Sequence, residues 1–64
     1  MKRDDLIREL RKIAKERGVT FTVTENRGKG SHYRVKLGNK RTIIKSGELN
    51  PIYVRLVKKQ LGVD

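Results

Sequence analysis

No cysteine occurs in this chain of 64 residues, so neither a disulfide framework nor a thiolate metal site can brace it. Apolar runs are equally scarce. The longest, residues 52–54, is three residues long, which argues against a signal peptide or a transmembrane helix and leads us to expect a cytoplasmic chain with no membrane partner. Carboxylates are few and scattered, and none forms a pair at an expected site. There is no phosphate-binding P-loop, no zinc-ligand spacing and no cysteine nucleophile, so no metal and no cofactor is expected. A chain this short buries only about 60% of its unfolded surface, so it is one lean domain over residues 1–64 that folds on packing alone or borrows stability from a partner.

What the chain has in excess is positive charge. Seventeen Lys and Arg stand against seven Asp and Glu, a net charge of +10. Such an imbalance points to an anionic partner: nucleic acid, an acidic protein or a membrane surface. The charge is unevenly placed. Residues 26–45 hold seven cations and no acid, whereas the first helical segment mixes both signs, as a solvated face does.

Residues 3–17 read as a helix, with Leu6, Ile7, Leu10, Ile13 and Ala14 on one stripe. Asp4 and Asp5 suit its N-terminal dipole and Gly18 its end. Val19, Phe21 and Val23 then alternate with threonines, predicting a half-buried strand over 19–24. A loop with glycines at 28 and 30 leads to a second strand, about 31–37, whose polar set is His32, Arg34 and Lys36. Gly38-Asn39 signals a two-residue hairpin, and a third strand spans about 40–45. That loop length sets the register: Leu37 faces Lys40, Val35 faces Thr42 and Tyr33 faces Ile44, while Lys36 faces Arg41, Arg34 faces Ile43 and His32 faces Lys45. Asn50-Pro51 starts a second helix that runs to about Leu61, with Ile52, Tyr53, Leu56, Val57, Gln60 and Leu61 marking its buried side and margins. Short loops make the sheet antiparallel, and two amphipathic helices need one of its faces. The expected fold is therefore α+β, in the order α-β-β-β-α: a three-stranded antiparallel sheet with two helices on one face, in a layout like that of a double-stranded-RNA-binding domain. Phe21 and Tyr33 fall on its apolar face, and Tyr53 is ambiguous.

One histidine, His32, occurs in the chain. It lies on the polar face, after Gly30-Ser31, with Lys29, Arg34 and Lys45 expected nearby. RNA cleavage by 2′-OH attack needs a base, cations for the phosphorane and an acid for the leaving 5′-oxygen. Histidine ordinarily titrates near neutrality, and cations around one favour its neutral form. Glycines let backbone N–H groups approach a phosphate closely, and Ser31 has a further hydrogen bond to give. The same residues also suit a plain RNA-binding face, or a surface that docks an acidic protein.

Taken in order, Arg27-Gly28-Lys29-Gly30-Ser31-His32, the basic third strand after Gly38-Asn39, Gly47-Glu48-Leu49 and Lys58-Lys59-Gln60-Leu61-Gly62 make the chain similar to the HicA-type mRNA interferase toxins, over nearly its whole length. The resemblance implies a metal-independent endoribonuclease that cleaves mRNA and inhibits translation, with His32 catalytic and Arg27, Lys29, Gly30, Ser31, Arg34 and Lys45 binding RNA or its phosphates. It implies a HicB-type antitoxin as partner, with the chain in a hetero-oligomer with it or in a homodimer. One departure stands out. Many members of that family carry a proline and a second histidine after the third strand, where this chain has Ile44-Lys45-Ser46-Gly47. Either His32 then serves both proton transfers, or Lys45 or water protonates the leaving group.

Overall fold

The computed structural model describes residues 1–25 and 32–63. Five elements follow in the expected order: α1 (Arg3–Arg17), β1 (Phe21–Glu25), β2 (Tyr33–Leu37), β3 (Lys40–Ile44) and α2 (Pro51–Gln60). The strands form one antiparallel sheet with β2 in the middle. The fold is α+β.

Both helices end as their glycines require. Gly18 sits at φ 69° and Gly62 at φ 72°, a left-handed conformation that costs glycine least. At each end two N–H groups turn back onto the last carbonyls. Gly18 and Val19 donate to Lys15 and Ala14, and Gly62 and Val63 donate to Lys59 and Lys58. This closure corrects one boundary. Val19, expected to open the first strand, is spent on ending α1 and is 38% exposed, so β1 starts two residues later, at Phe21.

The hairpin register is as expected. Tyr33 pairs with Ile44, Val35 with Thr42 and Leu37 with Lys40, with Arg34–Ile43 and Lys36–Arg41 alternating between them. Side chains alternate across a strand, so Phe21, Val23, Tyr33, Val35, Leu37 and Ile44 all share one face. The core forms there. Leu6, Leu10 and Ala14 of α1 and Val57 of α2 meet Val35 and Ile44, all of them almost wholly buried, and no polar or charged residue is buried among the described residues. Backbone bonds from Leu49 to Met1 and from Arg3 to Gly47 draw the connector before α2 against the start of α1, which buries Leu49. Lys58 of α2 reaches Glu9 of α1 at 3.1 Å and ties the two helices together.

The buried side of α2 differs from the expected one. Ile52 is 83% exposed and Leu56 49% exposed, and Gln60 is exposed as well, while Val54, Val57 and Leu61 are buried. Tyr53 accounts for the rotation. The Asn50 side chain caps its N–H at 2.7 Å, and its hydroxyl accepts from the Lys45 N–H at 3.1 Å and donates to the Ile43 carbonyl at 3.3 Å. In this register those two groups point outward from β3, along the free edge of the sheet. One phenol therefore fixes the helix phase and fills an edge that would otherwise pair with another chain. β3 ends at Ile44, so Lys45 lies beyond the strand. Tyr53→Phe should lower stability by about 1 kcal/mol, the usual worth of a lost hydrogen-bonding hydroxyl. Urea denaturation checks this, with a fall in the midpoint at unchanged slope expected.

Candidate nucleic-acid interface

Among the described residues no element covers the second face of the sheet. Its side chains form two cross-strand rows: Thr22, Lys36 and Arg41 in one, Thr24, Arg34 and Ile43 in the other. Arg34, Lys36 and Arg41 are exposed, and none of them has an ion-pair partner among the described residues. Glu25, the one acid of the strands, has the other parity. Its carboxylate accepts from the Tyr33 hydroxyl at 3.2 Å on the helix-covered side. Arg3 closes over the same Tyr33 ring, 3.6 Å from its centroid, so all three aromatic rings belong to the covered face or to the β3 edge, and none lies on the open one. Arg34, Arg41, Thr42 and Ile43 line a shallow depression of about 300 Å³.

His32 is exposed and immediately precedes β2. Strand alternation continued by one residue would carry it to the open face in line with Arg34, about 7 Å further along, but the ladder stops at Tyr33. Of the expected site residues, the sheet itself sets Arg34 on the open face. Lys45 is not brought to that position by the sheet. The ladder ends at Tyr33–Ile44, so the expected His32–Lys45 pair falls just beyond it, and the Lys45 ammonium stands 4.8 Å from the Tyr53 ring centroid. The expected contributions of Arg27, Lys29, Gly30 and Ser31 lie outside the described residues. Among the described residues no three His, Cys, Asp or Glu side chains gather where they could hold a metal ion, and no helix is long and apolar enough to cross a membrane.

Lys36 and Arg41, absent from the expected site, are added by the geometry. The signal for them was in the hairpin register, which sets them directly opposite each other. Like charges facing across a sheet destabilise it, and among the described residues no carboxylate pairs with either of them. Comparison with protein-family models, with curated proteins and with solved structures finds no match to this chain.

Removing one member of the facing pair relieves the repulsion. Arg41→Thr, which keeps a strand-forming residue at the position, should raise stability by up to about 1 kcal/mol. The rise should shrink as salt screens the charges, which urea denaturation at low and high NaCl measures.

Proposed function

We propose that this chain is an endoribonuclease toxin of the HicA type, cleaving mRNA in the cytoplasm through His32 and held in check by a HicB-type antitoxin. The observation that carries this reading is one exposed histidine immediately before the central strand of a sheet whose open face bears cations and, among the described residues, no acid. The element order and one-sided packing suit the double-stranded-RNA-binding-domain-like layout expected for such a protein.

The chemistry needs few parts. His32 takes the proton of a ribose 2′-OH, and the 2′-oxygen attacks the adjacent phosphorus. Arg34, the next residue on the face, offsets the extra charge of the phosphorane. The P–O5′ bond then breaks, and the 5′-oxygen needs a proton. Lys45 is the less suitable donor, because its ammonium rests on Tyr53. His32 therefore returns the proton it took, leaving a 2′,3′-cyclic phosphate and a 5′-hydroxyl. A base and acid of this kind is worth about 10²–10⁴-fold in rate.

The test is cleavage of an unstructured RNA by purified protein, with and without EDTA, beside His32→Ala. The expected result is EDTA-insensitive cleavage to cyclic-phosphate ends, at least about 100-fold slower in the variant, and growth arrest on induction of the wild type only. Intact RNA with wild-type protein, or equal cleavage by both, overturns the nuclease and leaves a non-catalytic RNA-binding module, a reading that the cationic face supports without the histidine.

A further inference from the structure

We infer that the open face of the sheet is a track for the sugar-phosphate backbone of single-stranded RNA, with Arg34 on the scissile phosphate and the facing pair Lys36–Arg41 engaging the backbone beyond it. The inference rests on the reading of RNA as substrate, and extends it from the cleavage point to the strand beside it.

Four observations converge on that occupant. The three cations are exposed and lack ion-pair partners, and no acid shares their face among the described residues. Lys36 and Arg41 are held opposite each other, an arrangement that costs stability unless an anion sits between them. His32, Arg34 and Lys36 recur at every second residue, a step of about 7 Å, which is close to the step between phosphates of an extended strand. Arg34 and Arg41 share the lining of one shallow depression with Thr42 and Ile43, which gives the backbone a seat beside both guanidinium groups.

The alternatives fit less well. Duplex RNA is gripped at two successive grooves by separate elements, whereas these cations lie in one plane on neighbouring strands. The cations of α1 are interleaved with Asp4, Asp5, Glu9 and Glu16, which blunts any groove contact from that side. An acidic protein would need an apolar interface centre, and Ile43 is the sole apolar side chain that the described strands place on this face. With no aromatic ring on it, the face has no platform for base stacking, so binding is electrostatic and tolerant of sequence.

Binding of short labelled 2′-O-methyl RNA, which cannot undergo 2′-OH attack, is read by fluorescence anisotropy across a series of NaCl concentrations. Each phosphate contact on a single strand contributes about 0.7 to the slope of log Kd against log salt. Arg34→Gln, Lys36→Gln and Arg41→Gln should therefore each lower the slope by about 0.7. Lys12→Gln, on the exposed side of α1, removes the same charge and should leave the slope unchanged. Adenine and uracil homopolymers should bind within a few-fold of each other, and both should bind more tightly than a duplex.

Equal slope losses from Lys12→Gln and the three face variants would mean that net charge alone binds, and would overturn the track. Tighter binding of the duplex, or displacement of the RNA by an equal charge of polyglutamate, would overturn it as well. The nuclease reading is scored separately, on unmodified RNA. Position-dependent slopes with no cleavage by the wild type retain the track and remove the nuclease. Cleavage with unaltered slopes does the reverse.

Discussion

The organising constraint is a core that covers the sheet on one face. Among the described residues eleven hydrophobic side chains are buried, and they join two helices to that face of three strands. A sheet covered on one side must offer water polar side chains on the other. Water alone asks only for polarity, which threonine or a balanced mix of charges would supply. This face has Thr22 and Thr24 on β1, but cations without acids on β2 and β3. The core explains why the face is polar; it does not explain why the charges share one sign.

That distinction bears on what the facing pair means. A surface under selection only for folding would place a glutamate opposite Lys36, where an opposite-charge pair adds stability. It holds Arg41 instead, in a fold with little stability to spare. Strain of this kind, electrostatic rather than conformational, is stored where a ligand relieves it. Anything anionic that binds the folded face and not the unfolded chain returns that stability by mass action. The same charges that loosen the sheet would then tighten it when it is occupied.

The fold was largely legible in the sequence because its signals were local. Asn50-Pro51, Gly18, Gly62 and Gly38-Asn39 each act within a turn, and the two-residue hairpin sets the β2–β3 pairs by counting. What could not be read was set by contacts distant in the chain. The phase of α2 depends on the Tyr53 hydroxyl meeting the Ile43 and Lys45 backbone, and periodicity over ten residues offered Ile52 and Leu56 as readily as Val54 for the buried stripe. Val19 suited both a strand and a helix-ending turn, and the turn won because its N–H satisfies a carbonyl of α1. Of the site, the placement of Arg34 on the open face followed from alternation alone. The Lys36–Arg41 pair followed from the same hairpin count.

Tyr53 links these two kinds of information. β3 ends one residue short of the expected pair with His32, and the Lys45 ammonium stands over the Tyr53 ring instead, 4.8 Å from its centroid. A cation counted toward the site from sequence is thereby diverted to the α2 side of the sheet edge. The histidine is left with Arg34 as the nearest cation in register on the described strands. If the chain is the nuclease proposed for it, one imidazole and one guanidinium suffice to carry a proton out and back, because both transfers concern oxygens of the same phosphorus. Such a site would have little left over for gripping the rest of an RNA strand. That grip would then have to come from elsewhere on the face, where the sheet sets Lys36 and Arg41 two residues further along the same direction.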